Sequence, residues 1–373
     1  MLHPELKTQI KFTGKEGNQF YSTARKRVDA YFIEQGISRN ANAAMIIKSV
    51  VLLSGYILPF VFMLAFLPSF GVSLALWFVM GVSLAGIGMS VMHDANHGSY
   101  SKNPSVNYIM GHTLNLLGGS VFNWKLQHNV LHHTYTNIVH MDDDIADRLV
   151  LKFSPHTKVK FFHRIQWAYA LFFYGLMTMY WVFAKDILQF RRYTTNGIID
   201  NTKEANRLIM AKMILLKVVY LFIVLAIPSL FFGIPFYQVF LGFTLMHFVS
   251  GIVLTVVFQL AHTLEGTTHP LPDAQGNIEN DWAIHQMETT INFSPKSKLI
   301  SWYVGGLNFQ VEHHLFPKVC HVHYPAIAGI VEQTAKEFNV PYNVNNTFAE
   351  ALKSHFQALY RFGRLPSFNE AIV

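Results

Sequence analysis

The chain has 373 residues, of which 51% are hydrophobic and 14% charged, and its mean hydropathy is +0.25. Soluble domains carry roughly 25% charged residues, so an ordinary water-soluble globule is excluded and a membrane protein is indicated. The net charge is +7 and the one cysteine is Cys320, so no disulfide can form within the chain and no cysteine cluster can hold zinc or an iron–sulfur centre.

The first 20 residues, MLHPELKTQIKFTGKEGNQF, have no apolar core and do not read as a signal peptide; residues 1–48 are expected to form an N-terminal segment outside the membrane. Residues 49–92 contain no Asp, Glu, Lys or Arg, and neither do residues 218–261. Each run has room for two helices at about 20 residues per crossing. Pro68 to Gly71 breaks the first run, and Gly233 and Pro235 break the second. The expected fold is an all-α integral membrane protein with spans at about 49–67, 71–92, 213–232 and 236–260, paired as two hairpins.

A helical cap, residues 93–212 and 262–373, completes a single domain over 49–373. The apolar stretch 165–184 is long enough to span, but a fifth crossing would put residues after 262 opposite those after 92. With Trp167, Tyr169, Tyr174, Tyr180 and Trp181, it is expected to lie along the interface or re-enter. Of 29 Lys and Arg, none lies in the two hairpin turns. The excess elsewhere puts both termini and the cap on the cytoplasmic side, and accounts for the net charge without a nucleic-acid partner. Lys217, at a helix entrance, is expected to snorkel to the interface.

Histidines cluster directly after the apolar runs and in the segments that follow them. HDANH carries His93 and His97, QHNVLHH carries His128, His132 and His133, QVEHH carries His313 and His314, and His262 follows the second run. Neutral imidazole is the commonest nitrogen ligand of transition metals. Eight ligands exceed the needs of one ion, so two ions are indicated. His93 and His97 share a helix face; His128 and His132 repeat that step, with His133 turned about 100° away. Asp94, Glu312, Glu265 and the run Asp142, Asp143 and Asp144 are placed to accept ring N–H groups from the ligands; for the acidic run a solvated loop is the more natural of the two readings. Asn137, Asn308 and Trp124 flank the clusters and either orient ligands or pack. His3, His156, His163, His269, His285 and His355 read as surface or structural groups, whereas His112, His140, His321 and His323 lie near the boxes and support the ligands, line the substrate path or pack. His247 lies about 22 Å along a helix from His262, too deep for the same metals, and needs only a hydrogen bond to a neighbouring helix.

The boxes H-D-x-x-H, Q-H-x-x-x-H-H and Q-x-x-H-H, separated by helical hairpins, resemble those of the membrane fatty acid desaturases from about residue 67 to residue 335. The resemblance implies two irons held by the box histidines and His262, O2 as co-substrate, and insertion of a cis double bond into a fatty acyl chain carried by coenzyme A or a lipid. Gln310 stands where many acyl-CoA desaturases have a histidine. This resembles the front-end, linoleoyl-type branch (delta-6-like), with Gln310 a weak ligand, a holder of metal-bound water, or an orienting group for Glu312. The H-P-G-G haem motif of a fused cytochrome b5 domain is absent, so a separate donor, ferredoxin or cytochrome b5, is implied, at a bacterial inner membrane. A hydroxylase, ketolase or sphingolipid-modifying enzyme could use the same boxes. A metal transporter needs ligands near the bilayer midplane, where only His247 is available, and a zinc protease needs H-E-x-x-H, which is missing.

Overall fold

The computed structural model describes residues 10–14, 19–146 and 150–365; His3 lies outside them. The chain divides into two compact units, one of Met1–Ala41, Leu126–Ala170 and Val257–Val373, the other of Asn42–Lys125 and Leu171–Val256.

The second unit carries most of the apolar sequence. Four helices are long and apolar enough to cross a membrane: Ala43–Phe66, Phe70–His97, Lys203–Phe231 and Phe236–His262. The first and third begin earlier than hydropathy suggests, because a helix starts at its cap and not where charge ends. Asn42 Oδ1 accepts from Met45 N at 3.1 Å, and Thr202 Oγ1 accepts from Ala205 N at 3.2 Å. Leu67, at φ 46°, and Pro68 stop the first helix. The apolar windows of Phe70–His97 and Phe236–His262 are 44% buried, against 22% for the other two, so these two are the inner helices. A Cβ on Gly81 would stand 2.6 Å from the Met246 carbonyl oxygen, so glycine permits their close approach.

The stretch 165–184 is not one straight helix. Phe161–Gly175 and Met177–Thr195 meet at a 54° bend. At the bend a Cβ on Gly175 would lie 2.3 Å from the Phe248 ring. Lys217 does not snorkel. Its ammonium is buried, 2.8 Å from Asp186 Oδ2, because Asp186, Gly118 and Trp181 supply acceptors inside the unit. His247 Nε2 lies 2.8 Å from the Tyr220 hydroxyl on the neighbouring helix, the partner expected for it.

The first unit is built from shorter helices and two small parallel pairings, Lys11–Phe12 with Asn277–Ile278 and Asn292–Phe293 with Val344–Asn345. Its core joins Phe20, Val28 and Phe32 of helix Phe20–Glu34 to Met287, Val311, Leu315, Ile327 and Val331. Burying side chains of this size contributes about 1.5–3 kcal/mol each before entropy is counted. Asp281 caps Trp282–Thr289 through Ala283 N at 2.8 Å, and a Thr347–Glu350 capping box starts Phe348–Phe362.

Candidate metal centre

In the first unit, His128 and His132 lie on Lys125–His132, which is π-helical rather than α-helical. Its turns close from residue i to i+5, so positions i+4 and i+5 fall on either side of i. The His128 ring accordingly has both His132 and His133 beside it, at centroid distances of 5.1 and 4.9 Å. The expected pairing of His128 with His132 therefore stands, while the expectation that His133 turns about 100° away is corrected: it too lies beside His128.

Each of four imidazoles in this unit uses Nδ1 on an oxygen. His132 Nδ1 is 2.8 Å from Asp142 Oδ2, and His128 Nδ1 is 2.9 Å from Asp144 Oδ2. His314 Nδ1 is 2.8 Å from Gln286 Oε1, and His262 Nδ1 is 3.3 Å from the Thr289 carbonyl. A ring that donates through Nδ1 presents its Nε2 lone pair on the other side. For His132, His262 and His314 that Nε2 is buried and has no hydrogen-bond partner among the described residues. Their ligand nitrogens lie within 4.8 Å of one another. Three buried acceptors left unmet would cost about 1–3 kcal/mol each, whereas three convergent lone pairs are a donor set for a transition metal. The residues fit a metal ion. His133, His313 and His314 form a second such group, with rings 4.6 Å (His133 to His313) and 4.5 Å (His133 to His314) apart.

The carboxylates are themselves held. Asn137, in the left-handed region at φ 60°, gives its backbone N–H to Asp142 at 3.0 Å, and Asp144 N donates to Asp142 Oδ1 at 3.0 Å. Gln127 Nε2 donates to Asp144. Burial lowers the proton affinity of His132, but the charge and hydrogen bond of Asp142 outweigh it and hold the ring above its ordinary 6.5. His314 is pushed well down by burial and by the neighbouring His133 and His132.

In the second unit, His93 and His97 end the helix Phe70–His97, just past a π-helical turn at Ile87–Val91. Their rings are 4.7 Å apart, and Trp124 stands edge-on to both, at 5.8 and 5.6 Å. Asp94 is buried, with Oδ1 3.4 Å from His93 Nδ1.

The other expected helpers divide. Asn137 Nδ2 donates to the carbonyls of His262 and Thr268, at 3.1 and 3.0 Å, tying the segment before the acidic run to the end of Phe236–His262. Asn308 Nδ2 donates to Ser301 Oγ at 3.0 Å, bracing the loop before the third box. Gln310 is buried, and its Oε1 makes no hydrogen bond among the described residues, so that oxygen does not orient Glu312. Glu312 is corrected. It accepts from Asn292 Nδ2 and the Tyr342 hydroxyl, each at 2.8 Å, and burial raises its pKa to about 7. Since Asn292 Oδ1 also accepts from Val311 N at 2.9 Å, this trio anchors the helix Gln310–Leu315. Glu265 is corrected too. Its carboxylate is 2.8 Å from Arg361 Nε, with both side chains more than 40% exposed; position after a ligand in sequence does not aim a side chain at it.

Reading the sequence missed Gln286, Thr289, Asn292 and Tyr342, and gave Asp142 and Asp144 the ring-accepting role only as the less favoured of two readings. An acidic run beginning nine residues after His133 was the available signal for the two aspartates; backbone carbonyls and lone amides leave none. His285, His355 and His156 hydrogen-bond to the carbonyls of Thr136, Thr263 and His269, as structural residues do.

Residues 69–346 match the fatty acid desaturase family. The sn-1 linoleoyl-lipid 6-desaturase of Synechocystis sp. is 36% identical, over 95% of this chain and 98% of its own length. Its counterpart in Arthrospira platensis is 34% identical, over 96% of each chain. The acyl-lipid (8-3)-desaturase of Physcomitrium patens is 37% identical, over 96% of this chain and 74% of its own. With four apolar helices, two of them ending in the histidines His97 and His262, and the match running through all three boxes, the chain belongs to the fatty acid desaturase family and is an oxidoreductase that desaturates fatty acyl chains.

Proposed function

We propose that this enzyme inserts a cis double bond between an existing double bond and the carboxyl end of a lipid-linked acyl chain, in the delta-6-like manner. The observation that carries the reading is the buried trio His132, His262 and His314, whose Nε2 atoms converge without a hydrogen-bond partner. The regiochemistry and the lipid carrier rest on the names of the relatives, two linoleoyl-lipid 6-desaturases and an acyl-lipid (8-3)-desaturase, and on Gln310 in the third box.

Two irons are proposed. His132, His262 and His314 serve one; His128, His133 and His313 belong to the same ligand set, and the first-box pair His93 and His97 joins it on the resemblance of H-D-x-x-H. When bound and reduced, iron supplies the O2 chemistry needed to take hydrogen from an unactivated methylene. The chain's own residues do the rest. Asp142, Asp144, Gln286 and the Thr289 carbonyl accept the Nδ1 protons and fix which nitrogen faces the metal. The burial of His132, His262 and His314 keeps bulk water from the oxidant. Gln310 is assigned a weak or water-mediated contact, and Asp94 and Asn137 supporting roles.

The topology proposed is two hairpins with 165–184 at the interface, and with the 1–48 segment, the 93–212 and 262–373 cap and both termini in the cytoplasm, all of 49–373 being one desaturase domain. The Lys and Arg excess outside the hairpin turns supports it. The same basic face suits an acidic one-electron donor such as ferredoxin or cytochrome b5, and the location proposed is a bacterial inner membrane.

Expression in a host of defined lipid profile, with double-bond positions mapped by mass spectrometry, tests the reading. A new double bond on the carboxyl side of an old one is expected, lost in His132→Ala and His313→Ala while the protein stays in the membrane. A new hydroxyl group instead would favour the hydroxylase alternative, and product from either variant would remove that residue from the ligands.

A further inference from the structure

A polar hub inside the second unit lies apart from the histidines. Asp186 is 1% exposed and accepts from three donors: Ser120 N at 2.9 Å, Trp181 Nε1 at 3.0 Å and Lys217 Nζ at 2.8 Å. Its backbone carbonyl accepts from Asn123 Nδ2 at 2.7 Å. Lys217 Nζ donates further to the carbonyls of Gly118, at 2.5 Å, and Trp181, at 2.8 Å, so its three protons are all used. Gly118 sits at φ 73°, where a Cβ would meet Val182 at 2.6 Å.

Burying an ion pair costs desolvation that its own attraction often only offsets, and a well-packed apolar pair is frequently as stable. Stability therefore does not explain the hub. What it does explain is the placement of residues 118–123, which are tied at three points: Gly118 accepts from Lys217, and Ser120 and Asn123 donate to Asp186. The residue after this clamped segment is Trp124, the indole that stands edge-on to His93 and His97 at 5.8 and 5.6 Å. Helix Lys125–His132, with His128 and His132, follows without a break.

We infer that Asp186 and Lys217 are a positioning pair: they clamp residues 118–123 so that Trp124 holds the His93 and His97 rings in ligating orientation. The inference rests on the reading of His93 and His97 as iron ligands. A pair acting in this way governs how tightly metal is held, not merely whether the chain folds. Removing a group that orients a ligand typically weakens metal binding by about 10- to 100-fold.

The test compares full-length, iron-loaded enzyme with the double variant Asp186→Leu/Lys217→Met, which removes the clamp but leaves no unpaired charge, and with Trp124→Leu and Trp124→Phe. The readouts are the rate of iron loss to excess chelator, the thermal midpoint, and kcat against KM. The expected result is iron loss at least about tenfold faster in the double variant and in Trp124→Leu, with a near wild-type midpoint, lowered kcat and unchanged KM. Trp124→Phe, which keeps a ring edge, should recover most of the retention. Wild-type iron retention in the folded double variant, or in Trp124→Leu should the double variant not fold, overturns the inference. A His93→Ala control separates the two levels. Wild-type iron retention there overturns the ligand reading itself, whereas loss there with retention in the clamp variants overturns only the positioning pair.

Discussion

The Lys217 hub and the His132, His262 and His314 trio are both buried polar clusters, yet their hydrogen-bond accounts close differently. In the hub each ammonium proton has an oxygen, from Asp186, Gly118 or Trp181. In the trio each ring satisfies Nδ1 and leaves a buried Nε2 with no partner among the described residues. A polar group buried without a partner is destabilising, so three that converge within 4.8 Å imply something that the side chains alone do not supply. A cluster that completes itself holds the fold; one that remains incomplete in a single direction is shaped for a ligand.

That contrast can be broken most forcefully at His314, which belongs to both histidine groups of the first unit. His314→Ala should reduce product to background, a loss of at least about 100-fold given what even orienting groups contribute, and should strip more iron than His132→Ala. Equal iron content in the two variants would end the idea of a shared ligand. Next in size, Asp142→Asn removes the charge behind His132 Nδ1 and should weaken metal binding by about 10- to 100-fold while the protein still inserts; competition with a chelator measures it, and unchanged affinity would reduce Asp142 to a packing role.

A smaller effect separates three histidines outside the proposed ligand set from those within it. His269, His285 and His355 are pushed down to about 4, chiefly by burial. Their folded-state values lie below the ordinary 6.5, so the unfolded chain takes up these protons first. Their contribution to stability is whole above about pH 6.5 and is lost as pH falls toward 4. The thermal midpoint should therefore drop between pH 7 and pH 5, and His355→Gln should flatten the drop; an unchanged slope would contradict the assignment. Smallest of all, Glu265→Ala breaks an exposed pair with Arg361 worth about 0–1 kcal/mol. Turnover at the wild-type rate is expected, and a tenfold loss would return Glu265 to the site.

Much of this was legible in the chain itself. Forty-four residues without a charge, twice over, announce four apolar helices, and histidine clusters at their ends and in the segments that follow announce a metal site, because both patterns are dense in sequence. The helix starts at Ala43 and Lys203 were not legible from hydropathy, since Asn42 and Thr202 act through single hydrogen bonds. The π-helical turn that flanks His128 with His132 and His133 has no composition of its own. The partners behind the ligands were hardest to see. Gln286 lies 28 residues from His314 and Thr289 27 residues from His262, and each is brought to its ring by tertiary packing alone. Glu265 shows the converse, a carboxylate near a ligand in sequence that turns to Arg361 in space.

Metal analysis of folded, active protein tests the account most directly. Two irons per chain are expected, with content falling in His132→Ala, His262→Ala and His314→Ala while each variant remains in the membrane. Active protein without iron, or iron content indifferent to all three substitutions, would contradict it.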